Sequence, residues 1–296
     1  TFSTSFLIAR KSLRNMLTVS AQPTQHTTHR TKDINTQMCT TTTNSTVEEN
    51  SNTAAATALS TSLSDQELRV ACYCEENVWR LTYRKVHHKA AATSSSNGKV
   101  KGKENEKKYY AVFVSNPFQC VCYFHQLASR DPSRAVFWDY HVILLEQDSE
   151  TGDTVFVYDI DSRLPYPCPL MEYLDLSFPD LEDARNADAD ADLVEELKRM
   201  APLFRVIPAE AFLQYFASDR SHMWNAETQQ WNAPPPTYDC IQGTTNQTDT
   251  NKQKKGQEHN LMKYINMQEH TKDEQYGTVL TMTQLRERFL KTGRHY

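Results

Sequence analysis

The stretch Val136–Asp161 (VFWDYHVILLEQDSETGDTVFVYDID) decides the architecture, because it reads as two strands joined by a loop. Val136–Leu145 and Thr154–Ile160 are rich in β-branched and aromatic residues, and the polar Glu146–Asp153 with Gly152 lies between them. Side chains alternate between the faces of a strand. His141, Ile143 and Leu145 therefore share one side, and Tyr140, Val142 and Leu144 the other. In the second strand Val155, Val157, Asp159 and Asp161 share a face. Antiparallel pairing about residue 150 sets Leu145 opposite Val155, Ile143 opposite Val157 and His141 opposite Asp159. Opposed residues bring their Cβ atoms within ~4.5–5.5 Å, and a slip of one residue would place the two side chains on opposite faces. In that register the Asp159 carboxylate accepts a hydrogen bond from the imidazole and fixes its tautomer. The pair is then either the base and acid of a triad or a plain cross-strand polar contact, and the hairpin alone leaves both open. The same register sets Asp139 opposite Asp161. Like charges facing each other need a cation, such as a substrate ammonium, or solvent screening.

Outward from this hairpin, Tyr109–Ser115 and Leu203–Pro208 are further β-rich runs. Glu75–Lys85, Ala209–Ala217 and Thr283–Lys291 have helical spacing and good helix formers. A helix followed by strands with hairpin-like spacing predicts an α+β domain around an antiparallel sheet.

Composition sets the limits of that domain. Residues 1–64 include a segment dominated by Ser, Thr, Asn and Gln, with too little apolar surface to offset its ordering entropy. We read them as a disordered leader; its Arg, Lys and Ser content also matches, weakly, an organellar targeting segment. Residues 65–296 form the domain, with polar surface insertions near 89–108, 180–196 and 242–260. The 296 residues carry a net charge of −5, which argues against a broad phosphate-neutralising face and hence against nucleic-acid binding. No run approaches the ~18 apolar residues of a membrane-spanning helix. With seven glycines and no GxxxxGK or GxGxxG, a phosphate-cradling loop is not the starting expectation. The seven cysteines, odd in number and without a secretory h-region, read as thiols of a reducing compartment.

A base held by an acid needs a nucleophile, and Cys72–Trp79 (CYCEENVW) offers one at the start of a helix. There the unpaired N–H groups and the positive dipole end favour thiolate and could also hold an oxyanion. Glu75 and Glu76 oppose a thiolate and must point away or serve another purpose. Cys72 and Cys74 with His87 and His88 fit a structural zinc site badly, because such sites favour C-x2–4-C and H-x3–5-H spacings. Cys120 and Cys122 alternate in a strand-like stretch and read as core. His222 has no acidic partner on its own strand, so we read it as structural, with Asp219 and Arg220 paired locally.

Together, CYCEENVW (72–79), WDYHV (138–142), YDID (158–161) with Leu164, Pro165 and Cys168, FASDRSHM (216–223), and Pro234–Pro236 with Tyr238, Cys240 and Ile241 resemble the protein N-terminal glutamine amidohydrolase family. The resemblance runs from about Cys72 to Phe289. It implies a transglutaminase-like, papain-related core that deamidates an N-terminal Gln side chain to Glu with release of ammonia, feeding the N-degron pathway. It places the nucleophile on Cys74, the base on His141 and the orienting acid on Asp159, with no metal or organic cofactor. Its partners would be proteins or peptides with an N-terminal Gln, with no nucleic acid or membrane involved, and the enzyme would act as a monomer in the cytoplasm or nucleus. Reading a free α-ammonium calls for a buried carboxylate, for which Glu75, Asp139 and Asp161 are the candidates. The alternatives are another cysteine enzyme on the same core, a peptidase or transglutaminase, and a non-enzymatic module that binds peptide N-termini.

Overall fold

A computed structural model describes residues 64–94, 107–148, 154–178, 191–243, 259–268 and 274–290. The expected leader, apart from Ser64, lies outside these residues, as do 95–106, 179–190 and 244–258 within the three polar stretches. At the edges of those stretches the first helix runs on to Ser94, and another helix begins at Ala191.

In chain order the elements are α1 (Cys74–Ser94), β1 (Lys107–Ser115), β2 (Val121–Tyr123), β3 (Val136–Trp138), β4 (His141–Asp148), β5 (Val155–Tyr158) and β6 (Cys168–Pro169). There follow α2 (Leu170–Ser177), α3 (Ala191–Arg199), β7 (Leu203–Pro208), α4 (Ala209–Tyr215), β8 (Trp224–Asn225), β9 (Gln230–Trp231), α5 (Leu261–Ile265), β10 (Thr278–Thr281) and α6 (Met282–Phe289). Six strands make one sheet in the order β10-β7-β1-β4-β5-β6, and every neighbouring pair is antiparallel. The α+β class and the antiparallel sheet expected from the hairpin are both present.

Alternation explains why β1 and β4 lie at the centre. Ala111, Phe113, Val142 and Leu144 face one side, where Val78, Trp79 and Leu81 of α1, Phe212 of α4 and Tyr264 of α5 cover them. Val112, Val114, Ile143 and Leu145 face the other, against Tyr173 and Leu174 of α2 and Leu285 and Phe289 of α6. Each such side chain, fully buried, contributes roughly 1.5–3 kcal/mol. Arg205 of β7, wholly buried, ties the far end together by donating to the carbonyls of Tyr264, Tyr276 and Asn266. Gly277 turns the chain into β10 at φ +64°, where a Cβ would meet the Val206 carbonyl oxygen at 2.1 Å.

Two expectations about the hairpin need correction. Val136–Leu145 is not one strand: it breaks at Asp139–Tyr140, β3 pairs with β2 in a separate two-stranded sheet, and His141 begins β4. Asp139 makes this break, its Oδ1 accepting the Tyr140 N–H at 2.9 Å. The register also differs, since Leu145 pairs with Val157 and Leu144 with Tyr158. This is a slip of two residues, which keeps every side chain on the face that alternation assigns it.

Candidate active site

Cys74 is set by the turn that precedes its helix. Asn77 reaches back seven residues to bracket Val70, donating to its carbonyl at 2.8 Å and accepting its N–H at 2.9 Å. Cys72 adopts φ 67°, and the next residue, Tyr73, is buried and donates to the Ala233 carbonyl at 3.2 Å. Cys72 is disulfide-bonded, which corrects the reading of every cysteine as a free thiol. The left-handed Cys72 swings the chain into α1, so that Cys74 becomes its first residue. The Cys74 sulfur lies where the backbone N–H of Val142, one residue past His141, stabilises its thiolate form. Burial nevertheless pushes the thiol well above its ordinary range, and Glu75, Asp161 and Asp139 push the same way. Desolvation and three carboxylates thus oppose the stabilisation of a thiolate that the helix N-terminus and the Val142 N–H offer.

His141 is buried, pairs with Val114 across the β1–β4 ladder, and stacks on Trp138 with ring centroids 6.0 Å apart. Tyr123 meets it edge-on at 5.4 Å. Its Nε2 lies 2.9 Å from Asp159 Oδ1, which leaves Nδ1 as the nitrogen free for other work. Asp159 is among the most fully bonded carboxylates of the fold. Oδ1 also accepts the Asp161 N–H at 3.0 Å, and Oδ2 accepts Gln126 Nε2 at 3.1 Å and the Tyr173 hydroxyl at 2.8 Å. Burial alone would raise the Asp159 carboxyl, but His141, Gln126 and Tyr173 hold it below its ordinary value. Burial likewise favours a neutral His141, yet Asp159 outweighs it and the imidazole sits above its ordinary value. Gln126 and Tyr173 were not among the expected site residues; Tyr173 lies on the apolar stripe of α2 with Leu170 and Leu174, which marks core and not a site, and Gln126 lies in no periodic pattern.

The three candidate ammonium readers are differently placed. Asp161 is in the turn after β5 and already has a cation, Arg69 Nε at 2.6 Å. Neither it nor Asp139 lies in the β4–β5 ladder, so the expected cross-strand pairing of the two does not form; Asp139 sits in the β3–β4 break instead. Burial raises Asp139, its own backbone and the Tyr140 N–H oppose this, and Glu75 raises it further. Glu75 is fully buried, its Oε2 accepts the Tyr140 hydroxyl at 3.0 Å, and the same oxygen is 3.7 Å from the Cys74 sulfur.

His222 has an acidic partner after all, on α1 and not on its own segment: its Nε2 is 3.5 Å from Glu75 Oε1. Arg220 is not paired with Asp219 either; it grips Glu76 through two hydrogen bonds of 2.8 Å. The zinc reading fails on distance, since thirteen residues of helix at ~1.5 Å each separate Cys74 from His87, which stacks on Tyr83. Among the described residues, donor atoms of His141, Asp159 and Asp161 lie within 4.8 Å of one another. That spacing suits a divalent cation, but His141 and Asp159 bond each other and Asp161 bonds Arg69. Cys122 is core, as expected, with burial pushing its thiol up to about 12.

A family model described as N-terminal glutamine amidase matches residues 69–289. The protein N-terminal glutamine amidohydrolase of Bos taurus is 38% identical over 173 residues, which cover 58% of this chain and 69% of that protein. The human protein of that name is 37% identical over 173 residues, covering 58% and 70%. That of Danio rerio is 34% identical over 182 residues, covering 60% and 74%. With a family model spanning most of its length and relatives at this identity, the chain belongs to the N-terminal glutamine amidase family of amidohydrolase enzymes.

Proposed function

We propose that this protein hydrolyses the side-chain amide of an N-terminal glutamine to glutamate and ammonia, using Cys74 as nucleophile, His141 as acid and base, and Asp159 as the orienting acid. The observation that supports this most is the placement of the half-buried Cys74 sulfur against the strand that begins with His141, whose far nitrogen is held by Asp159. The names of the relatives support the substrate. The core that results, a helix led by its cysteine on an antiparallel sheet, is of the transglutaminase-like kind.

The chemistry follows from this placement. As the Cys74 sulfur attacks the Gln carboxamide carbon, His141 Nδ1 takes the thiol proton. Free N–H groups in the first turn of α1 face the oxygen that becomes negative. His141 then gives its proton to the departing nitrogen, the C–N bond breaks, and ammonia leaves a thioester on Cys74. Water, deprotonated by His141, attacks the thioester, releasing glutamate and restoring the thiol. Asp159 keeps Nε2 occupied, so that Nδ1 meets the reacting groups in both halves. A carboxylate beside the thiol reads the substrate's α-ammonium, which confines the reaction to chain ends; Glu75 is best placed, because Asp161 is taken by Arg69. We place the reaction in the cytoplasm or nucleus, upstream of N-degron recognition, with a monomer acting on peptide and protein ends.

Incubation with a Gln-initiated peptide and its N-acetylated twin tests the reading. Ammonia and an amide-to-acid mass change from the free peptide alone are the expected result. Backbone scission would assign a peptidase instead, and no product from either peptide would overturn the proposal.

A further inference from the structure

The chain between Ser218 and Met223 is held against the start of α1 by two adjacent acids. Glu76 is fully buried and takes Arg220 in a two-pronged ion pair. Arg220 also donates to the carbonyls of Pro236, Tyr238 and Asp239, which locks it in its left-handed conformation at φ 63°. Two residues on, a short 3-10 turn presents His222 to Glu75. Within Glu75, one oxygen is bonded to the Tyr140 hydroxyl, while Oε1 is buried without a hydrogen-bond partner. His222 Nε2 lies 3.5 Å from that oxygen, too long for a good bond, and at the same distance from the Tyr140 hydroxyl. The other ring nitrogen, Nδ1, is likewise buried and unbonded, and the ring lies flat on His259 at 5.6 Å. His259 is in turn tethered to Asp219 at 3.2 Å.

A buried carboxylate oxygen with no donor is costly unless something fills it. This one belongs to a residue whose other oxygen is 3.7 Å from the Cys74 sulfur. We propose that His222 is a specificity-determining positioning residue: its imidazole roofs Glu75 Oε1 and holds that oxygen as the receptor for the substrate's α-ammonium. The inference rests on the amidohydrolase reading and deepens it. His222 makes no bond that the chemical steps require, because His141 supplies the acid and base. Its work is done through Glu75: Nε2 biases the carboxylate rotamer, and the His222–His259 stack keeps bulk water from solvating the oxygen. An ammonium entering from the Cys74 side then finds a desolvated, correctly turned acceptor. An N-acetylated or internal Gln has no charge to place there and leaves the oxygen unfilled.

The test compares His222→Ala and His222→Gln with the unaltered protein. For a Gln-initiated peptide, His222→Ala is expected to raise KM about tenfold or more with kcat changed less than about threefold. His222→Gln, which keeps an N–H within reach of Glu75, is expected to recover most of the loss. Alongside, calorimetric binding of the same peptide and its N-acetylated twin to a Cys74→Ala protein, with and without His222→Ala, reads the ammonium preference without turnover. The preference should shrink severalfold when His222 is removed. A kcat loss as deep as that of His141→Ala, an unchanged KM, or an unchanged or absent binding preference would each overturn the proposal. If the unaltered protein releases no ammonia, the amidohydrolase reading fails, while the binding arm still decides the role of His222. Circular dichroism and a melting curve on each variant separate a folding defect from these outcomes.

Discussion

His141 reaches Asp159 at 2.9 Å although the two residues are not opposite one another in the sheet. The ladder that pairs Leu145 with Val157 and Leu144 with Tyr158 would, if continued, set His141 across from Asp161. The strand β5 ends at Tyr158, however, and the chain turns there. The turn brings Asp159 back under the ring, and its Oδ1 also caps the Asp161 N–H. His141 and Asp159 thus meet at the frayed end of a hairpin, where loops rather than the ladder choose the geometry.

That dependence predicts a graded series. Asp159→Asn should lower kcat by about 10²–10⁴-fold, because the amide can offer its N–H to Nε2 and favour the wrong tautomer. Gln126→Ala and Tyr173→Phe each remove one donor from Oδ2 and should cost about tenfold in kcat with little change in KM. Steady-state kinetics on the three variants, with melting curves to exclude unfolding, checks the order.

The same pair predicts how stability changes with pH. His141 is raised above its unfolded value, so its contribution is full below ~6.5 and is lost as pH rises through the folded value. Asp159 is lowered, so its contribution is full above ~3.9 and is lost as pH falls through the folded value. Both are fully present between those limits. The gap in urea midpoint between the wild-type protein and His141→Gln should therefore be most favourable to wild type in that window, and should narrow on either side of it. A gap that does not vary with pH would contradict the pairing.

Glu75 stands between two roles, and its removal should separate them. It helps to keep the Cys74 thiol protonated, so Glu75→Gln should speed alkylation of Cys74 by iodoacetamide at neutral pH severalfold. If Glu75 reads the substrate's α-ammonium as proposed, the same substitution should also raise KM for Gln-peptides. Opposite movements of thiol reactivity and substrate affinity are the signature, read by mass spectrometry and kinetics on one protein preparation.

The ion pair next to it is structural. Glu76 and Arg220 lie in a buried setting, and Glu76→Gln leaves the guanidinium without its counter-charge, so the protein should lose about 3–5 kcal/mol of stability. Chemical denaturation measures this directly.

The strands β1 and β4 were legible as β-rich runs, and apolar residues on both faces require cover on both sides of the sheet, but their place at its centre was not legible. The side on which His141 lies followed from the same parity and survived the two-residue error in register. The break at Asp139 was not legible, because Val136–Leu145 has uninterrupted β propensity and only the Asp139–Tyr140 backbone contact interrupts it. Gln126, Tyr173, the Glu75 partner of His222 and the Glu76–Arg220 clamp were missed for one reason. They act across 14 to 147 residues of chain, and no local period encodes such contacts. The opposition to a Cys74 thiolate was not legible, because a helix N-terminus is visible in a sequence, whereas three carboxylates converging by tertiary folding are not.

The central claim is that Cys74 sulfur forms a bond to the glutamine side-chain carbon. The most direct measurement is intact-protein mass spectrometry of an acid-quenched reaction with a Gln-initiated peptide, followed by digestion to locate any adduct. The account predicts a species heavier by the peptide less one ammonia, located on Cys74, missing in Cys74→Ala and in reactions with the N-acetylated peptide. Ammonia release that persists in Cys74→Ala, or an adduct on another cysteine, would contradict it.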